Sequence, residues 1–541
     1  MTRLSPFLFL AFLLFVGCNG ATAQPAASTT ERGGTAEAAE GASGGSDARE
    51  SADRTASDPS VAGADTGGES ADDPRTPSAT QSTRDERELK DIGTRRQGID
   101  WPCFLGPNYD SKSPETGILR DWSGDNLRIV WQKELDTSYG IGSVSKGRYY
   151  QFDRVEDPAL PRGVGRALLT CLNAETGEEI WRFGYETDYE DLYGYNGGPR
   201  CSPVIDGNRV YIFGAEGMLH CLRADDGEVI WKVDTNKDYR VVQNFFGVGS
   251  TPIVEGDLLI VMIGGSTPDS LQAPPGQLDL VEPDGSAIVA FDKYTGEERY
   301  RIGDDLASYS SLTVATIDDR RWCFAFCRAG LLAFEPATGK IDFHFPWRAR
   351  VLESVNASVP VVVGNEVFIS ETYGPGSALL KVSPGEYEVV WQDDSSRRAR
   401  AMQTHWNTPI HVDGYLYGCS GRNPPDAELR CIEWATGKVQ WNMTNDPARA
   451  RTSLLSVDGH FVCLTEYGKL QLIRVNHDEC EIVSELILRR AGESQDVDPI
   501  DGQRPRLLRY PCWAAPVLSH GLLYVRGEDR LVCLELIPEN G

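Results

Sequence analysis

One eight-residue phrase recurs along this chain and constrains its architecture more than any other feature. It reads Ala-Glu-Thr-Gly-Glu-Glu-Ile-Trp from Ala174 to Trp181 and Ala-Asp-Asp-Gly-Glu-Val-Ile-Trp from Ala224 to Trp231. It returns as Trp-Ala-Thr-Gly-Lys-Val-Gln-Trp from Trp434 to Trp441, with weaker copies at Asp292 to Tyr300 and Pro336 to Phe343. Self-similarity at a spacing of about 20–50 residues marks an array of one small supersecondary unit. The residues before each phrase alternate apolar and polar, as a half-buried strand does. The Thr-Gly or Asp-Gly pair then turns the chain, because Gly accepts positive φ and the Thr or Asp side chain can bond its own backbone. A second strand follows, carrying a large ring four places after the Gly.

Two further strands precede each hairpin. In one copy they are Cys201 to Ile205 and Arg209 to Phe213, joined by Asp206-Gly207-Asn208. The same frame returns around Thr251-Pro252, Thr408-Pro409 and Ala515-Pro516. The unit is therefore four antiparallel strands, A to D, and such sheets repeated at this period form propeller blades. Trp131, Trp181, Trp231, Tyr300, Phe343, Trp391 and Trp441 close seven D strands, and each ring is suited to docking its blade on the next. An eighth D strand without a Trp lies near Cys480 to Leu486. The last segment supplies A, B and C strands without a D strand. The strand around Trp131 is a D strand without the other three. The expected fold is all-β: an eight-bladed β-propeller of four-stranded antiparallel blades, closed by pairing the two chain ends in one blade. Closure removes exposed strand edges.

The first 18 residues read as an export signal, with Arg3 ahead of an apolar run from Phe7 to Val16 that is too short to span a bilayer comfortably. Val16-Gly17-Cys18 is similar to the end of a bacterial lipobox, so Cys18 is the expected lipid attachment site; ordinary cleavage after Ala21-Thr22-Ala23 is the alternative. Residues 19–95 are poor in large apolar side chains and are expected to form a disordered tether, leaving 96–541 for the propeller. This layout places the protein outside the cytoplasm, anchored to a bacterial membrane and facing the periplasm or the cell surface. The formal net charge of −27 disfavours nucleic acid as a partner. A monomer is expected.

Thirteen cysteines in an exported chain raise the question of disulfides. Cys171, Cys221, Cys431 and Cys533 fall at one equivalent strand C position, where Ala290 and Ala333 stand in other units, so a small buried packing residue explains them. Cys323 and Cys327 share one face of a strand, too far apart along it to bond easily. Cys103 and Cys512 are the one pairing considered, if the N-terminal segment covers the closing blade. No zinc signature, phosphate loop or nucleophile elbow is present, and the turn carboxylates are explained by turn chemistry.

The Ala-x-x-x-Thr-Gly-x-x-x-Trp phrase and the eight blades make the chain similar to the PQQ-like β-propeller superfamily, from about Trp101 to Leu536. The segment Trp101 to Asn108, with Ser113 to Gly117, resembles the opening of many such propellers from planctomycete-type bacteria. Two branches of the superfamily matter. The quinoprotein dehydrogenases bind pyrroloquinoline quinone and calcium; the BamB-like lipoproteins are non-enzymatic scaffolds. This chain has no Cys-Cys pair, and no motif matches the dehydrogenase calcium set. The anchor, tether and propeller layout resembles the BamB-like branch, which implies no cofactor and no catalytic residue. A quinone- and calcium-dependent dehydrogenase and a carbohydrate-binding propeller are the alternatives.

In an antiparallel four-stranded blade the B–C and D–A loops open on one face. The long insertions fall there: Phe152 to Arg166, Gly264 to Ser286, Gly421 to Glu428 and Ala491 to Arg509. Loops on a rigid scaffold carry binding residues. Residues entering the A strands should ring the central channel on that face: Tyr139, Tyr195, Asn196, Phe246, Tyr309, Asn356, His405, Trp406, Asn407, Arg451, Tyr510 and Trp513. An envelope protein or small ligand is the expected occupant; rings that merely plug the channel are the other reading.

Overall fold

The computed structural model describes residues 88–95, 97–394, 399–423, 425–444, 449–491 and 496–539. The signal, Cys18 and the tether up to residue 87 lie outside the described residues. Eight sheets make the ring, each with four strands in A-B-C-D order; the seventh gains a fifth, two-residue strand from the N-terminal segment. Blade 1 is Ser143–Ser145, Arg148–Glu156, Gly165–Asn173 and Glu179–Thr187. Blades 2 to 7 occupy 204–234, 253–302, 313–346, 361–392, 410–443 and 452–487. Blade 8 takes A, B and C from Val517–Ser519, Leu522–Arg526 and Arg530–Glu535, and D from Ile129–Glu134 near the other end of the chain. The closing register pairs Ile129 with Leu534, Trp131 with Cys533 and Glu134 with Arg530. Two insertions differ in form from the sequence reading. The first is a hairpin whose strands run on to Glu156 and back from Gly165. The one at 264–286 carries short 3-10 turns at Pro268–Gln272 and Leu278–Leu280.

The repeated phrase has one structural job. In every blade the C–D pairing shifts register by a bulge just before the ring position, and a bulge re-aims the side chain that follows it. The ring then lies on the turn of the next blade. The indole nitrogen of Trp131 donates to the Ala174 carbonyl at 2.9 Å, and that of Trp231 to the Lys293 carbonyl at 3.2 Å. A tyrosine from strand B of the same blade donates to the same oxygen: Tyr524 to Ala174 at 3.0 Å and Tyr211 to Lys293 at 3.0 Å. The turn glycine must be bare because the ring covers it. A Cβ on Gly227, whose φ is +79°, would sit 2.6 Å from Trp181. Between the two aromatic strands stands the small strand C residue, Cys171 opposite Trp181 or Ala290 opposite Tyr300. Phe343 lacks a donor and packs on Tyr387 instead, 5.0 Å between centroids. Blade 7 has Ser484 at the ring position, facing Leu472. Its hydroxyl accepts the Trp122 N–H and donates to the Arg120 carbonyl, and Trp122 is buried in the cluster that holds Leu472 and Leu534.

All twelve described cysteines are free thiols. The pairing of Cys103 with Cys512 does not form, for a topological reason. Cys103 packs with Cys201 and Tyr211, while Cys512 lies in the cluster of blades 7, 8 and 1. The N-terminal segment does not simply cover the closing blade; it threads the channel. Trp101 pairs antiparallel with Val144 of the blade 1 A strand. Lys112–Ser113 pairs parallel with Ser456 and Val457 of the blade 7 A strand. A strands run from the D–A face towards the A–B turns, so the segment climbs along blade 1, turns inside the channel and descends along blade 7. The reversal is held by the Ser111 hydroxyl, which donates to the Leu454 carbonyl at 2.8 Å. At the bend, Gly106 has φ +82°, and a Cβ there would meet the Trp101 ring at 2.8 Å. Contacts with the propeller begin ahead of residue 96: Leu89 is buried with Tyr150 and Ile212, and Arg95 pairs with Glu175 and Glu535.

Candidate functional site

The channel is a funnel open on the D–A face and closed below by the tip of the threaded segment. Its cavity is about 260 Å³, and Phe104 and Leu105 from that tip form part of its wall. Aromatic side chains from seven blades surround it. Tyr139, Tyr195, Phe246 and Tyr309 come from the segments entering the A strands of blades 1 to 4. Tyr373 comes from the B–C loop of blade 5, Trp406 from the approach to blade 6 and Trp513 from the approach to blade 8. Blade 7 contributes Arg451. The rings touch in sequence. Centroids are 5.4 Å apart for Tyr309 and Phe246, 5.5 Å for Phe246 and Tyr195, 6.0 Å for Tyr195 and Trp513, and 5.0 Å for Trp513 and Trp406. His405 bridges Trp406 to Tyr373, at 4.7 and 5.7 Å. The hydroxyls of Tyr139 and Tyr309 accept the backbone N–H of Asn196 and Phe246, which leaves their protons to donate elsewhere.

The charges of the wall's described residues are of one sign. Among the described residues Arg200, Arg422 and Arg451 line the cavity, and no Asp or Glu does. Two of the three guanidiniums are matched from behind. Arg451 lies between Trp406 and Trp513, 4.1 and 5.3 Å from their centroids. Its Nε and Nη2 donate to Oε2 of Glu466 at 2.9 and 2.6 Å, and the same oxygen accepts the Trp513 indole N–H at 3.1 Å. Glu466 is 1% exposed, so this is a buried, charge-assisted network. Arg200 donates to Asp191, whose side chain is fully buried, at 2.8 Å. Arg422 is exposed at the rim, 4.3 Å from the Tyr373 centroid. Burial, reinforced by Arg451 and Arg422, holds the His405 imidazole well below its usual range, so it is neutral. Its Nε2 is 3.2 Å from the Tyr373 hydroxyl, and its Nδ1 has no partner.

Nine of the twelve residues expected at the mouth line this cavity: Tyr139, Tyr195, Phe246, Tyr309, His405, Trp406, Asn407, Arg451 and Trp513. Three do not. Asn356 is buried, and its amide donates to the carbonyls of Cys327, Arg328 and Trp347. Asn196 caps its own loop by accepting the Gly198 N–H. Tyr510 stands outside, stacked on Tyr467 and edge-on to Trp513. Sequence reasoning missed Tyr373, Arg422, Arg200 and the Phe104-Leu105 tip. Tyr373 and Arg422 sit in B–C loops, and the topology that put D–A loops on this face puts B–C loops there too.

Calcium takes six to eight oxygen ligands, carboxylates foremost. The described residues of the wall, with three guanidiniums and no carboxylate, do not fit that ion. Among the described residues no group of three or more His, Cys, Asp and Glu side chains could hold a metal.

A family model described as outer membrane protein assembly factor BamB matches residues 165–443, just over half of the chain. The chain belongs to this family of PQQ-like β-propellers. Among solved structures, the BamB-like propeller is similar to the quinohemoprotein alcohol dehydrogenase of Comamonas testosteroni, with 13% identity, 82% of each chain covered and a TM-score of 0.51. It is also similar to BamB from Moraxella catarrhalis, with 14% identity, 77% of this chain and 99% of that chain covered, and a TM-score of 0.49. Likeness at this identity speaks for the fold alone. No curated protein matches the sequence.

Proposed function

We propose that this chain is a non-catalytic binding propeller, tethered to a bacterial membrane through lipidated Cys18, that holds a protein or envelope ligand on its loop-rich face. The observation that carries this reading is the aromatic collar. Its rings are not consumed in blade docking; they surround an open funnel, and Tyr195 is 47% exposed. Aromatic residues around a concave, largely apolar site supply binding energy at low entropic cost. Acid–base chemistry, in contrast, needs a group that titrates near the working pH. Among the described residues of the wall, the one imidazole is held neutral and there is no carboxylate. The family description, an outer-membrane assembly factor, supports a protein partner in general terms.

Two measurements test this reading. Titration with pyrroloquinoline quinone and calcium should give no calcium-dependent, dye-linked alcohol oxidation; stoichiometric quinone binding with turnover would overturn it. A photo-crosslinking residue at Tyr195 should give a discrete adduct in envelope fractions that the same residue at Lys438, on the opposite face, does not give. Equal labelling from both positions would count against the loop-rich face.

A further inference from the structure

We infer that the funnel recognises a single carboxylate carried on a flat, ring-sized body, with Arg422 as the residue that reads the charge. The inference rests on the binding reading above and narrows it to a ligand class. Among the described residues three guanidiniums meet the cavity, and two of them are neutralised by the buried carboxylates of Asp191 and Glu466. One positive charge is left over, on Arg422, which no carboxylate pairs among the described residues. A monoanion would balance it. The flanks of the funnel set the rest of the ligand. Trp406 and Trp513 lie 5.0 Å apart, with the Arg451 guanidinium 4.1 Å from the Trp406 centroid, so a flat apolar face entering here meets stacking surfaces. The Tyr139 and Tyr309 hydroxyls, whose oxygens accept backbone N–H groups, keep their protons free to donate from the same wall. A blind cavity of about 260 Å³ lies at the small end for ligand pockets and admits one ring rather than a chain.

An aromatic acid and a uronic acid share this chemistry: a six-membered ring with an apolar face and one carboxylate. Calorimetric titration of the purified propeller separates them. Benzoate and glucuronate are compared with their uncharged counterparts, benzyl alcohol and glucose. The expected result is that at least one acid binds about tenfold or more tightly than its neutral counterpart, as charge-assisted hydrogen bonds require. The tighter of the two acids names the source. Arg422→Gln should remove that preference, and Arg422→Lys should restore part of it, since Lys keeps the charge without the planar fork. Arg422 is exposed, so neither variant threatens folding. Neutral compounds binding as well as the acids would overturn the inference, and so would an undiminished preference in Arg422→Gln. If neither acid binds while the Tyr195 crosslink persists, the ligand class is wrong and the binding reading stands.

Discussion

The propeller uses large rings in two places, and the two sets are treated oppositely. The outer rings, Trp131, Trp181, Trp231, Tyr300, Trp391 and Trp441, each give their polar hydrogen to a carbonyl of the next blade. Where the next blade carries the Thr-Gly or Asp-Gly turn, they also cover its glycine. They have a fixed partner and a fixed position in the repeat. The inner rings come from loops of unequal length, touch one another and keep a face towards the funnel. Aromatic residues therefore serve cohesion at the rim of each sheet and, in the binding function proposed above, recognition at the centre of the wheel. What separates the two sets is where each ring lies: the outer ones donate to a carbonyl of the neighbouring blade, whereas the inner ones line the cavity, and even Trp513, whose indole N–H is held by Glu466, is part of its wall.

The contrast can be broken or sharpened by substitution. The largest expected effect is at the closure. Trp131→Ala empties a buried ring site in the blade that joins the chain ends, and should lower unfolding free energy by about 4 kcal/mol, measured by urea denaturation. Glu466→Gln sits beneath the inner collar and leaves the Arg451 guanidinium without its carboxylate; it should cost about 3 kcal/mol in the same assay and is the one collar-linked change expected to behave like an outer one. A third effect depends on pH. His220 is buried against Tyr185 and Phe183, with Nδ1 unpartnered, and burial, aided by Lys232, pulls its pKa down to about 4. The unfolded chain takes a proton near pH 6.5 and the folded chain does not until about 4. The stabilisation is therefore complete above pH 6.5 and is lost as pH falls towards 4. His220→Phe should remove that slope and gain about 2 kcal/mol over wild type at pH 5. Smallest is Gly227→Ala, which forces a side chain into positive φ under Trp181 and should cost about 1.5 kcal/mol. Separately, a clickable palmitate analogue should label the wild-type protein in its bacterial host and not Cys18→Ala.

The outer set was legible in the sequence because it is local. A Thr-Gly turn and a ring four residues later form one short motif, and the side chain of that Thr accepts the backbone N–H two places on, as at Thr176 and Thr436. Blade count and closure followed from repeating it. Most of the inner set followed from topology, since residues ahead of A strands must face the channel. Tyr373 and Arg422 escaped because they occupy B–C loops that carry no repeat. Arg200 escaped because Tyr195 and Asn196 were taken to represent its segment; its place on the wall is fixed by the buried Asp191, a partner nine residues earlier in an irregular loop. The threaded segment was illegible for a stronger reason. Its path depends on a two-residue parallel pairing with blade 7 and on a hydroxyl of Ser111 bonding Leu454, more than 300 positions away. Nothing near residue 105 encodes that contact.

The most direct test sets one ring of each kind side by side in chemical denaturation: Trp231→Ala from the outer set and Trp406→Ala from the collar. Trp231→Ala should lose about 3–5 kcal/mol, and Trp406→Ala no more than about 1 kcal/mol while losing the Tyr195 crosslink. A loss at Trp406 equal to that at Trp231, with the crosslink intact, would show that the inner rings hold blades together just as the outer ones do.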